Sequence, residues 1–194
     1  MSEDDRLRWN EKYCLGTHAS YDPSSLLTNL APLLPSSGRT IDLAGGAGRN
    51  AIWLANRGLD VSVADVSDVA LKLVEARAVE FGVSIETQRV DFETEPFPAG
   101  PWDLIVSVHF LLRPLFTTFP AVLANGGTLV CIHPTRSNLE RHDKPPSRYL
   151  LEDGELPKLA TDLEVVRYEE GWLAEGRHEA VLVARAVGGV DSNG

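Results

Sequence analysis

Residues 40–50, TIDLAGGAGRN, constrain this chain more than any other stretch. A short β-type run enters a glycine-rich turn, and a helical pattern, RNAIWLANR, leaves it and stops at Gly58. Gly46 and Gly48 admit positive φ and let a ligand come close to the main chain. The helix that follows turns its positive N-terminal end toward that ligand, which suits a carboxylate or a phosphate. Asp65 ends the next predicted strand, where its carboxylate can accept both hydroxyls of a ribose.

The same alternation runs through most of the chain. Strands are expected over 40–43, 60–64, 84–89, 103–108 and 128–133, with helices over 49–57, 67–81 and 114–124 between them. Ser67 caps the second of these helices and Gly82 closes it. A further helix follows Asp22-Pro23, with Asp22 as cap and Pro23 in the first turn. Alternating strands and helices with β-branched strand interiors give a parallel sheet covered on both faces. The last third differs, because 163–168 and 179–186 are strands with only about ten residues between them, too few for a crossover helix. The expected fold is therefore α/β: a doubly wound, mostly parallel seven-stranded sheet with an antiparallel C-terminal hairpin. Joints at 34–39, 96–101 and 125–127 are short, so residues 1–194 read as one domain. Within it, 1–35 form a helical N-terminal cap, 134–160 an insertion on the substrate side, and 188–194 a flexible tail. The opening acidic residues are expected to be loose as well.

Charge and composition remove several classes of function. With 28 acidic against 18 basic residues, the net charge is −10, a poor match for a nucleic-acid backbone. No apolar run approaches the roughly 18 residues that span a bilayer. The start, MSEDDRLRWN, lacks the basic and apolar regions of a secretory signal. Cys14 and Cys131 are too few for a disulfide framework, and His and Cys show no metal-ligand spacing. The expectation is a cytoplasmic protein, a monomer or weak dimer, that acts on a small molecule without a metal.

The turn alone leaves the ligand open. Gly46–Ala51 satisfies the loose dinucleotide pattern G-x-G-x-x-(G/A), so a nicotinamide-dependent oxidoreductase is one reading. Three features favour another. Asp42 lies four residues before Gly46, where a pyrophosphate would be repelled and an ammonium group welcomed. Asp91-Phe92 follows the third strand, offering a carboxylate to an exocyclic amine and a ring to a base. The terminal hairpin extends the sheet beyond the plain dinucleotide fold. Ammonium, carboxylate, ribose and adenine together describe S-adenosyl-L-methionine.

On these residues the chain resembles the class I S-adenosylmethionine-dependent methyltransferases, a Rossmann-like fold, from Trp9 to Ala186. The glycine motif is matched by Asp42-Leu43-Ala44-Gly45-Gly46-Ala47-Gly48 and the fourth-strand motif by WDLIVSVHFL. WNEKY, GRNAIWLA and EDGEL look most like the tellurite-resistance and thiopurine methyltransferase group. The resemblance implies that Asp42, Ala44, Gly46, Gly48 and Asn50 hold the methionine and ribose side of the cofactor. Asp65 would take the ribose, Val66 and Phe92 the adenine ring, and Asp91 its amine. Ser107 would run along the methionine part, and Tyr13 of the N-terminal segment, which also carries Trp9 and His18, would close over the sulfonium. Ala44 departs from the pattern, standing where the family has its first glycine; at positive φ it would cost about 1 kcal/mol. That departure keeps a non-catalytic adenosyl-cofactor-binding protein as an alternative.

Methyl transfer from a sulfonium needs the nucleophile held about 3 Å from the methyl carbon with water excluded. Thiolates and chalcogen oxyanions need little help from a base, whereas alcohols and amines need a proton acceptor. His109 and Arg113, just past the fourth strand, are the candidate catalytic residues, and His133 has a similar address after the fifth. The segment PTRSNLERHDKPPSRY gathers Arg136, Arg141, Lys144 and Arg148 in an otherwise acidic chain, as a lid drawing in an anionic or electron-rich substrate would. Trp53, Trp102 and Cys131 read as core.

Overall fold

In the computed structural model, which describes residues 3–16 and 20–188, the strand that enters the glycine turn is central. β1 (Arg39–Leu43) is buried from Thr40 onward and runs parallel to β2 (Asp60–Asp65) on one side and β4 (Trp102–Val108) on the other. With β3 (Ile85–Arg89), β5 (Leu123–Pro134), β6 (Leu163–Trp172) and β7 (His178–Ala186), it forms a seven-stranded sheet in the order β3-β2-β1-β4-β5-β7-β6. β7 is antiparallel to both β5 and β6, and the other pairs are parallel.

Side chains of one strand alternate between two cores, as strand periodicity requires. Ile105, Leu129 and Cys131 join one cluster with Phe116 and Phe119, while Leu104, Val106, Val130 and Ile132 join another with Leu27, Leu54 and Val74. The second face carries α2 (Ser25–Asn29), α3 (Arg49–Asn56) and α4 (Asp68–Phe81); the first carries α5 (Phe119–Val122) and α6 (Leu156–Leu159). Covered on both faces, the sheet is doubly wound. Ser67 caps α4 by accepting the Ala70 N–H at 3.1 Å, and Gly82 ends it at φ 67°. Trp102 is buried, whereas Trp53 is half-buried at the edge of the second cluster with Arg57 stacked on its ring. Among the described residues no helix is long and apolar enough to cross a membrane.

Local chemistry overrides five expectations. The helix after Asp22-Pro23 shrinks to α2 and a 3₁₀ turn, Ala31–Leu33, since Pro32 has no N–H to continue it. Asp22 does not cap it; Ser24 holds that position and makes no side-chain cap bond. The helix over 114–124 is likewise two pieces, a 3₁₀ turn Arg113–Thr117 and α5, each with a proline at its start. The joint at 125–127 belongs to β5, beside a register irregularity between Trp102 and Leu104 of β4. At the other end, Glu3, Asp4 and Asp5 form the first turn of α1 (Glu3–Cys14), where acidic side chains suit the helix dipole. Arg6 and Asn10 then tie α1 to the start of α4 through Asp68 and Ser67. His18 and residues 189–194 lie outside the described residues.

Candidate functional site

The C-terminal ends of β1, β2, β4 and β5 open onto one cavity of about 990 Å³. It lies where strand order reverses, between β1 and β4, the place where open α/β sheets bind ligands. α1 covers one side with Trp9 and Tyr13, and the segment from Asn138 to Tyr149 covers another.

On the β1 side the turn has three residues at positive φ: Ala44 at 48°, Gly46 at 57° and Gly48 at 79°. Ala44 thus carries the strain expected of it, about 1 kcal/mol. A methyl group on Gly46 would collide with the Tyr13 hydroxyl, and one on Gly48 would lie 2.9 Å from Val74 Cγ2. The first contact keeps α1 close over the turn; the second lets α3 begin against α4. Burial pushes the Tyr13 hydroxyl pKa up, and Asp65 adds to it.

Asp65 lines the cavity with its carboxylate already oriented. Oδ2 accepts the Gly46 N–H at 2.9 Å and Oδ1 the Ser67 N–H at 2.8 Å, leaving a lone pair on each oxygen for a diol. Burial raises its pKa against the backbone N–H groups of Ser67, Gly46 and Val66. Val66 lies beside it, and Asn50 accepts the Ser24 N–H at 2.9 Å while also lining the cavity. Asp42 sits beneath the turn, 1% exposed, with no partner for Oδ2 among the described residues. Burial pushes its pKa up to about 7, with Arg49 opposing. A buried, unpaired carboxyl is costly unless a cation or donor reaches it.

Several expected contacts fall elsewhere. Phe92 is a core residue, its ring 5.8 Å from Phe97 and 5.5 Å from Phe110, and does not line the cavity. Asp91 closes its own turn, donating its N–H to Glu95 and accepting that of Glu93, and Glu93 is the residue that lines the cavity. Ser107 is buried and donates to the Phe110 carbonyl at 2.9 Å, shaping the bend after β4 rather than meeting a ligand. Arg113 is committed to Glu155 through Nε at 2.6 Å and Nη2 at 2.8 Å, and to the Leu150 carbonyl at 3.0 Å, away from the cavity lining.

His109 does line the cavity, at φ 60°. Its N–H donates to the Ile132 carbonyl at 2.8 Å, and Nε2 lies 3.1 Å from both carboxylate oxygens of Glu179. Glu179 is 2% exposed, and Arg177 Nε lies 3.3 Å from Oε1. Burial opposes its charge, yet the His109 bond and Arg177 hold its carboxyl below the usual range. His133 is also buried at the cavity wall; Nε2 meets the Tyr149 carbonyl at 2.6 Å, and Nδ1 has no partner. Burial takes its pKa down to about 4, so the ring is neutral.

Glu179 escaped the sequence reading. Its one signal there is an acidic residue opening a strand that is otherwise buried and apolar; only the β5–β7 register, which sets Glu179 opposite Pro134, brings it to the site. Of the four basic residues between β5 and α6, Lys144 and Arg148 line the cavity, whereas Arg136 pairs with Glu152 at 2.7 Å and Arg141 stacks 3.8 Å over Trp172. One group among the described residues has ion-holding spacing: Asp153, Glu170 and His178, with ligand atoms within 4.8 Å. They already bond to Ser137, to Tyr168 and to Thr135, respectively, outside the cavity lining.

Comparisons with known proteins agree with this geometry. Residues 41–127 match the methyltransferase domain family. An uncharacterized protein of Mycobacterium bovis is 30% identical over 103 residues, covering 50% of this chain and 37% of its own length; Mycobacterium tuberculosis has counterparts with the same match. The chain thus spans little more than a third of the curated relatives it matches. Among solved structures, TehB of Haemophilus influenzae superposes with a TM-score of 0.72 at 20% identity, covering 91% of this chain and 66% of TehB. A SAM-dependent methyltransferase of Methanosarcina mazei gives 0.67 at 18%, covering 87% of this chain and 100% of that one. At such identities the likeness is one of fold. The antiparallel β7 departs from the all-parallel sheet of the dinucleotide fold. Residues 41–127, the glycine turn among them, thus match a methyltransferase domain, and the sheet around them has the fold of SAM-dependent methyltransferases.

Proposed function

We propose that this protein transfers a methyl group from S-adenosyl-L-methionine to a small nucleophile, a thiol or chalcogen oxyanion being the first class to try. The observation that carries this reading is the single cavity that joins the glycine turn and Asp65 at one end to His109, His133 and the basic segment at the other. One enclosure thereby offers a nucleoside subsite and room for a second molecule beside it.

The residues present fit the donor. Asp42 does not line the cavity itself, but its unpaired Oδ2 lies buried directly beneath the turn that does, where its charge would attract the ammonium of the methionine part. The Asp65 oxygens keep a lone pair each for the ribose hydroxyls, and the N-terminus of α3 faces the carboxylate. When bound, the cofactor supplies an electrophilic methyl group on a sulfonium. The protein's part is to orient and to exclude water: α1 lays Tyr13 over the turn, and residues 138–149 close the far side. Lys12, Lys144 and Arg148 put positive charge around the mouth of a chain of net charge −10, while Arg8 and Arg177 balance Asp5 and Glu179 there, which favours an anionic or electron-rich acceptor. The same acidic balance disfavours nucleic acid as substrate.

Calorimetric titration with S-adenosylmethionine and S-adenosylhomocysteine, with NAD(H) as control, tests the reading on wild type and on Asp65→Ala. Micromolar binding of the adenosyl ligands, lost in the variant, is expected. A wild type that binds neither would end the proposal.

A further inference from the structure

We propose that Glu179, His109 and His133 form a proton-accepting wall, and that the methyl acceptor is a protic nucleophile, a thiol or phenol carrying a second donor group, rather than an aprotic anion. This rests on the methyltransferase reading and narrows its substrate.

The Glu179 carboxylate anchors this wall. Its side chain is fully buried, and it faces His109 Nε2 with both oxygens at 3.1 Å. A charged acceptor fixes the imidazole proton on Nε2, which leaves the lone pair on Nδ1. The His109 side chain is one-third exposed (32%) and lines the cavity while its Nε2 edge is covered by Glu179, so the open edge is the one bearing Nδ1. A carboxylate behind an imidazole both sets the tautomer and stabilises the imidazolium that forms when the ring takes a proton. Arg177, 3.3 Å from the same carboxylate, keeps Glu179 ionised.

His133 supplies the second half. Its Nε2 is spent on the Tyr149 carbonyl, so Nε2 carries the proton and Nδ1 is a bare acceptor. That nitrogen is buried in the cavity wall and unpartnered, an arrangement that costs free energy until a donor arrives. The backbone bond from His109 to Ile132 joins the ends of β4 and β5, and both imidazoles line the same cavity. His109 also holds positive φ, a conformation uncommon outside glycine and characteristic of functional positions. An aprotic anion has nothing to donate to either nitrogen. A thiol or phenol loses its proton to His109 Nδ1 as its freed electron pair forms the bond to the methyl carbon. The pair of the broken carbon–sulfur bond stays on the donor's sulfur, so charge and atoms balance.

The test uses the full chain with S-adenosylmethionine, comparing 2-mercaptoethanol and catechol, each still protonated near neutral pH and carrying a second hydroxyl, with iodide as methyl acceptors, in wild type, His109→Asn and Glu179→Gln. Asparagine tolerates the positive φ, and glutamine keeps the volume. Turnover of the protic acceptors is expected to fall about a hundredfold in both variants, within the span of general-base effects, with any iodide turnover unchanged. Equal loss for iodide, wild-type turnover confined to iodide, or retained thiol and phenol turnover in His109→Asn would overturn the proposal. So would intact S-adenosylhomocysteine binding with no turnover of any protic acceptor. Imidazole ¹⁵N spectra of the ligand-free protein at pH 8 give a readout independent of turnover: both rings should carry the proton on Nε2, and a proton on Nδ1 of either would also overturn it. Absent adenosyl binding in wild type would instead sink the methyltransferase reading, with the tautomers still deciding the wall.

Discussion

Asp42→Asn probes the buried carboxyl beneath the glycine turn through its pH dependence. Burial raises the Asp42 pKa from 3.8 to about 7; Asp65 pushes the same way and Arg49 opposes. Between those values the unfolded chain has lost the proton while the folded chain keeps it. The folded state then binds more protons, and stability must fall as pH rises. The contribution is fully present below about pH 4 and gone above about pH 7. The difference between the two pKa values is about three units; at 1.36 kcal/mol each, the effect is capped at about 4 kcal/mol. Asp65, raised as well, adds to the slope. His133 runs the other way: its pKa is lowered from 6.5 to about 4, so its contribution grows with pH over that window. The wild-type curve is therefore partly compensated, and the useful quantity is the difference between variant and wild type. Urea unfolding at half-unit steps from pH 4 to 8 measures it. The Asp42→Asn protein should gain on wild type by about 2–4 kcal/mol across the range with an unchanged m-value. A constant offset would refute the reasoning, because an amide's packing defects do not titrate.

Three further outcomes follow from the geometry. Gly46→Ala drives a methyl group into the Tyr13 hydroxyl, so hydrogen exchange in residues 3–14 should accelerate; adding Tyr13→Phe, which leaves the ring carbon Cζ at 3.2 Å as the nearest atom, should restore protection. Gly48→Ala combines φ 79° with a 2.9 Å contact on Val74 and should lower stability by about 2–4 kcal/mol in urea unfolding, with α1 protection unchanged. Arg113→Ala removes the Glu155 pair and the Leu150 bond, both partly solvated, and should cost about 1–2 kcal/mol by the same assay while leaving S-adenosylhomocysteine affinity within twofold.

How much the sequence disclosed depends on how local each feature is. Asp42, Ala44, Gly46, Gly48 and Asp65 lie on one strand–turn–helix–strand unit, and their spacing carries their positions because backbone conformation at the turn dictates residue type. Cap and stop residues of α4 were legible for the same reason. Proline was harder to read, since Pro32, Pro114 and Pro120 fit the start of a short helix as well as the continuation of an expected longer one. Phe92 shows the limit of reading a residue type at a known address. The position after β3 was right, but an aromatic ring there can turn toward a base or toward Phe97 and Phe110, and burial favours the core.

Glu179 marks a different limit. It reaches His109 only because β7 folds back antiparallel on β5 with Glu179 opposite Pro134, and a one-residue slip would send the carboxylate to the other face of the sheet. The register is fixed by the apolar residues that follow, Ala180–Ala184, which must alternate between the two cores. The hairpin that separates this sheet from a dinucleotide-binding one therefore also delivers the acid behind His109. An Arg113-type candidate, adjacent in sequence to the site yet spent on Glu155, and a Glu179-type residue, 70 positions from His109 yet bonded to it, differ in nothing that spacing alone records. Strand pairing decides between them, so the chemistry of this cavity is written partly in the apolar residues that set the register.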